Sequence, residues 1–327
     1  MSSSLLPLLQ VQLNQYVLPI IIILGNIGNA FIVILFIQHR RNSCSMYLIL
    51  AAVMNTAFMT LNIPITLYTI DYGDPTIRSL FFCKIRFYLY HVWGQIARYA
   101  IVLACVDRFI MTSDYARLRV MNRYSLVKWI IGIVCIFWHI FPVHILILMA
   151  ITSGRCGPTD IYYLLYYIYL LVFVCIIPST IMVICALLTY RNMRQLHTRV
   201  QPIGINNAGE HNRITIHRRD RDLLSMVLAE VAIYVVTTFV YPFIIMEISI
   251  STTMGVTKSV TYLQIESFIS NFGTILIYFN SAVPFYTYFL VSKPFRKEFK
   301  QFFSKWIRQT VGENNTNEPL GTRQLQN

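Results

Sequence analysis

Apolar residues in this chain come in long blocks, with short polar stretches between them. The blocks run over 16–37, 45–68 and 83–111, then over 125–151, 161–190, 222–250 and 260–291. Each reaches the about 20 residues that an α-helix needs to cross a bilayer core. A β-barrel would show short segments of alternating hydrophobicity instead. The pattern predicts an all-α membrane protein, a seven-transmembrane helix bundle over 16–291. Beyond it, Phe295, Phe299, Phe302, Phe303 and Trp306 recur at helical spacing, with Lys and Arg on the other face. That spacing predicts a short amphipathic eighth helix over 292–308, lying in the interface. Residues 1–15 read as an amino-terminal arm, and 309–327 as a polar, disordered cytosolic tail.

Composition strengthens the membrane reading. The chain has 327 residues, 56% hydrophobic and 13% charged, with mean hydropathy +0.56. A soluble domain carries about 25% charged residues. Residues 1–11 lack a basic start, so the first helix is expected to act as its own insertion signal.

Charge sets the expected orientation. Twenty of the 27 Lys and Arg residues follow odd-numbered blocks, at 40–41, 117–128, 191–221 and 293–323. The other ends hold Arg78, Lys84, Arg155 and Lys258, with Arg86 just inside. Basic loops stay in the cytosol, so the amino terminus is expected outside. The net charge of +13 then serves anionic lipid and a cytosolic protein partner. Bases scattered over membrane loops fit nucleic acid poorly.

The third block carries the most chemistry. It opens with Cys83, Lys84 and Arg86 and closes on Asp107-Arg108-Phe109. A charge pair at a membrane boundary is costly without a partner or a job. Arg98 stands inside the block. A charge at a helix centre costs about 2.5–3.5 kcal/mol on insertion scales, so Arg98 is expected to face the interior or water. The alternative is a structural pair with a buried acid or carbonyl. Arg86, Tyr90, His91, Arg98, Glu247 and Tyr278 are candidates to line an outward-facing cavity. Pro242 and Pro284 each remove a backbone hydrogen bond and permit a kink.

Seven cysteines are present, and Cys105, Cys135, Cys175 and Cys185 fall inside apolar blocks. Cys83 and Cys156 fall in loops or helix ends on one predicted side. No Cys/His spacing reads as a metal site. No nucleophile–base pair or phosphate loop is evident. No enzyme activity, cofactor or metal is therefore expected.

Seven helices in this topology resemble the rhodopsin-like G-protein-coupled receptors, and the resemblance covers nearly the whole chain. Asp107-Arg108-Phe109 is similar to the family's Asp-Arg-Tyr. Cys83 lies 25 residues before Arg108, as in the family, and Cys156 matches the cysteine of the second outer loop. Gly28-Asn29 matches helix one, and Pro64, Pro178 and Pro242 fit helices two, five and six. Asn280-Ser281, then Tyr288, then Phe295-Arg296 resemble the end of helix seven and the eighth helix. The resemblance implies a plasma-membrane receptor with an extracellular ligand and a heterotrimeric G protein as partners. It implies a Cys83–Cys156 disulfide and an inactive-state clamp of Arg108 on Asp107 and on Asp222. Pro242, Asn280, Ser281, Pro284 and Tyr288 would form the switch.

Three positions depart from the family pattern. Asn55 stands where the family usually carries an aspartate that can hold sodium, and helix six lacks the tryptophan two residues before Pro242. Pro284-Phe285 replaces Asn-Pro before Tyr288. The ligand class is narrowed by absences: Tyr90 stands where amine receptors carry an aspartate, and Tyr278 where light receptors carry a lysine. A peptide, in particular a short amidated neuropeptide, is the leading expectation. A seven-helix transporter or channel is the alternative, and would show internal repeats or charges along a through-path. A zinc-dependent membrane hydrolase would need its histidines clustered.

Overall fold

The computed structural model describes residues 5–113, 124–152, 154–199 and 208–310; the side chains of 124, 160–161, 195–199, 208–222 and 309–310 are not among those described. The chain folds as a bundle of apolar helices. The first three spans are α1 (Leu5–Ile37), α2 (Ser43–Tyr72) and α3 (Leu80–Thr112). The fourth is α4 (Tyr124–Ile140) with α5 (Val143–Leu148). A hairpin of β1 (Met149–Thr152) and β2 (Arg155–Pro158) follows. The fifth span is α6 (Asp160–Tyr169), a π-helical segment (Leu170–Ile176) and α7 (Ile177–Arg199). The sixth is α8 (Ala208–Thr238) and α9 (Val240–Thr253), and the seventh α10 (Val260–Ala282) and α11 (Pro284–Val291). The eighth helix is α12 (Lys293–Thr310). Among the described residues six helices are long and apolar enough to cross a bilayer, and the pair α10–α11, bent by 55°, makes the seventh.

Proline explains most of the breaks. Pro284 has no N–H for the carbonyl of Asn280, and the seventh span bends there. Pro242 has none for the carbonyl of Thr238, and the sixth span breaks between Thr238 and Val240. Pro178 has none for Val174, and the π-helical segment lies just before it. The Tyr234 hydroxyl, from the sixth span, donates to that Val174 carbonyl at 2.5 Å. Within a bilayer a freed backbone acceptor needs a protein partner, and a tyrosine supplies it. By contrast α2 runs as one helix through Pro64.

Two expectations about extent are corrected. The first helix begins at Leu5, not at residue 16: apolar residues continue through Leu5, Leu8, Leu9 and Leu13, and Pro7 sits in the first turn, where its missing N–H costs nothing. The fourth helix stops short of 151, because Pro142 interrupts it and Met149–Thr152 pairs as a strand. The hairpin turns at Gly154, with φ +71°, a conformation open to glycine. Its register sets Ile151 opposite Cys156.

Close packing joins the first span to the seventh. A Cβ on Gly25 would stand 2.7 Å from the Cβ of Ala282 and 2.7 Å from Met59. Asn29 donates to the carbonyl of Ser281 at 3.1 Å, and Asn14 and Asn271 exchange amide hydrogen bonds at 3.0 Å. Small residues and amides are what hold helices together where lipid is as apolar as leucine. In α12 the rings divide. Phe295 is buried against Phe36 and Phe285, and Phe299 packs on Phe31, while Phe303 and Trp306 are exposed. Arg296 donates to the carbonyls of Phe289 (3.1 Å) and Leu290 (2.8 Å), satisfying the open end of α11.

Candidate functional site

At one end of the bundle α3 closes on a buried ion pair. The Arg108 guanidinium donates to Asp107 Oδ2 from Nη2 at 2.5 Å and from Nε at 3.1 Å. Arg108 is 2% exposed and Asp107 6%. Arg108 Nη2 also lies 3.4 Å from the Asn42 side-chain oxygen. That oxygen accepts from the Cys44 N–H at 3.0 Å and so caps the start of α2. Asn42 was not singled out from sequence; its signal is the Asn-Ser pair before an apolar run. Phe109 packs, half-buried, against the neighbouring core. The side chain of Asp222, the expected second partner of Arg108, lies outside the described residues.

At the other end Cys83 and Cys156 form a disulfide, with Cα atoms 5.8 Å apart. It ties β2 to the first turn of α3. Arg86 Nη1 lies 3.8 Å from Asp74 Oδ1, in the loop after α2, and the charge of Arg86 also acts on Tyr90 and Tyr278. Asp74 in turn caps the short helix Pro75–Arg78 through the Thr76 N–H at 2.9 Å. Glu247 stands at the same end of the bundle. Its Oε1 accepts from Lys258 Nζ and from the Tyr262 hydroxyl, each at 3.2 Å. Lys258 pairs with the buried Glu266 as well. Glu266 went unnoticed in the sequence, although a lone acid in the apolar run 260–282 was its signal. Glu247 and Lys258 border a groove of about 710 Å³ along Phe243, Met246, Ile250 and Met254.

Between the ends the remaining candidates form a polar interior. His91 is 2% exposed, and its Nε2 is 2.7 Å from the Tyr166 hydroxyl. Tyr90 stacks at 4.8 Å from Phe58, and Tyr278 at 5.6 Å from the same ring. Tyr90, His91, Gln95, Arg98 and Pro242 line a cavity of about 20 Å³. Asn55, Arg98, Glu230, Asn280 and Ser281 line a second, of about 30 Å³. Arg98 belongs to both. Tyr288, from α11, donates its hydroxyl to Glu230. The structure thus brings together Tyr90, His91 and Pro242, and separately Asn280 and Ser281 with Glu230. Arg86 acts electrostatically on Tyr90 and Tyr278, and Glu247 borders the 710 Å³ groove. Among the described residues no three His, Cys, Asp or Glu side chains gather where they could hold a metal ion.

A bundle of this build defines the seven-span class of helical membrane proteins. Within that class the chain belongs to the 7 transmembrane receptor (rhodopsin family), whose model it matches over residues 28–284. Comparison with curated proteins finds no match. The chain is accordingly a multi-pass membrane receptor, and the matched region includes Gly28, the disulfide, Asp107-Arg108-Phe109 and Pro284.

Proposed function

We propose that this receptor sits in the plasma membrane with its amino terminus outside and binds an extracellular ligand, a neuropeptide in the leading reading, at the disulfide end. The Arg108 end then engages a heterotrimeric G protein. The observation that carries this reading is the state of Arg108: a permanently charged, planar donor held 2% exposed against Asp107 and beside Asn42 of another span. A cation stored that way is inert until helices move, and then offers itself to a protein partner. Ligand binding acts by favouring the state in which it is released. Asp107, and Asp222 on the sixth span, serve as the clamp. Pro242, Asn280, Ser281, Pro284 and Tyr288 form the switch, and the breaks at Thr238 and Ala282 give it places to bend. Arg86, Tyr90, His91, Glu247 and Tyr278 are the pocket candidates.

The test is nucleotide exchange on co-expressed G proteins, with and without a neuropeptide library, beside ion and solute flux in the same cells. Exchange above that of untransfected cells supports the reading. Flux without exchange overturns it in favour of a transporter or channel.

A further inference from the structure

Arg98 lies near the middle of Leu80–Thr112, deep between the two ends of the bundle. Its guanidinium has two partners. Nη1 donates to the Gln95 side-chain oxygen, and the group stands 5.9 Å from the centre of the Tyr234 ring. Both are neutral. Its Nε–H is buried and has no hydrogen-bond partner among the described residues. Among the described residues no carboxylate stands within ion-pair distance of it. Glu230 borders the same 30 Å³ cavity but accepts from Tyr288. An amide oxygen and a ring face lessen the cost of a buried positive charge, but neither carries the opposite charge. The 20 Å³ cavity is walled by Arg98, Gln95, His91, Tyr90 and Tyr241, without a carboxylate. A water-sized group needs about 10–15 Å³. The 20 Å³ cavity therefore admits one or two such groups, which suits a halide or the head of one carboxylate, whereas the Glu230 carboxylate on the 30 Å³ cavity would repel either.

We propose that Arg98 is an anion-recognition residue, and that a small monovalent anion binds beside its guanidinium in the 20 Å³ cavity. The anion is either free chloride or the carboxylate of the extracellular ligand. The second source rests on the receptor reading, and it narrows the ligand. An amidated peptide has no terminal carboxylate, so an acidic side chain must supply the charge.

The experiment uses the full-length receptor in nanodiscs, in sodium gluconate at constant ionic strength. Gluconate is replaced by chloride or by acetate, and the thermal unfolding midpoint is read. Binding raises the midpoint by about 2–4 °C at about ten times the dissociation constant. Gluconate is too large for the cavities. Arg98→Gln is expected to abolish the rise, and Arg98→Lys to keep part of it. A response to chloride alone assigns the site to the free ion, and a response that includes acetate assigns it to carboxylates. Equal midpoints for the unaltered receptor in all three salts overturn the proposal, whether or not the variants fold. G-protein exchange on the same preparation separates the two readings: coupling without an anion response sinks only this inference, and an anion response without coupling sinks only the G-protein reading.

Discussion

The hydroxyl of Tyr288 donates to the carboxylate of Glu230, and so joins the seventh span to the sixth below both helix breaks. Tyr288 is 1% exposed and Glu230 6%. Tyr288→Phe removes the donor and leaves a buried oxygen unsatisfied. Leaving a buried hydrogen-bonding group unsatisfied costs about 1–3 kcal/mol, and about 1.4 kcal/mol is tenfold in an equilibrium. If the contact holds the two spans in the resting arrangement, basal nucleotide exchange should rise about tenfold at equal surface expression. The same basal rate in both proteins would mean that the contact serves packing alone.

Asp107 keeps Arg108 in place through two donors on one oxygen. Asp107→Asn preserves the shape and removes the charge. Breaking a buried pair by removing one partner costs about 3–5 kcal/mol, because the other charge is left uncompensated. The inactive arrangement bears that cost, so basal exchange is expected to rise at least about tenfold. Exchange is measured on membranes matched for receptor number. A variant that stays silent there counts against the clamp.

Gly25 and Gly132 make a matched pair for testing how closely helices approach. A methyl on Gly25 would meet Ala282 and Met59 at 2.7 Å, whereas nothing lies within 4 Å of one on Gly132. Overpacking costs about 1–3 kcal/mol. Gly25→Ala is therefore expected to lower the thermal midpoint by several degrees, and Gly132→Ala to leave it unchanged. Equal midpoints would refute the close contact of the first and seventh spans.

The spans were legible because a bilayer demands long apolar runs, and a run of that length has few other readings. The breaks at Pro242 and Pro284 were legible for a local reason, the missing N–H. Other features depend on which neighbour faces which. Met149–Thr152 continues an apolar block, and a short apolar run reads the same in helix or strand. Arg86 and Glu247 are candidates to line an outward-facing cavity, each a charge near a helix end. Sequence spacing does not say which partner such a side chain meets, and here Asp74 lies beside Arg86 and Lys258 beside Glu247. Tyr234 showed no signal of its own: its role depends on Val174, on another span, whose carbonyl has no α-helical donor in Pro178. Arg98 was expected to face the interior or water, or to pair with an acid or carbonyl. It borders two interior cavities and bonds to the side-chain carbonyl of Gln95, with no acid at ion-pair distance among the described residues.

Lys258 sits between Glu247 and Glu266, with 9% of its side chain exposed. Desolvation by itself would lower its pKa. The hydrogen bonds to Glu266 and Glu247, with the charges behind them, outweigh that and hold the ammonium above the ordinary lysine range. A raised folded value fixes the sign. The contribution is fully present below the unfolded pKa of about 10.4, and is lost as pH rises through the folded value. The thermal midpoint should thus be level across neutral pH and fall in strongly alkaline buffer. Lys258→Gln should start lower and lose less, because the group that titrates is gone. The difference between the two proteins, scanned from about pH 7 to about pH 11, isolates this lysine from the others. It should shrink toward the alkaline end; a difference that stays constant would show that Lys258 stabilises the helix ends without its charge.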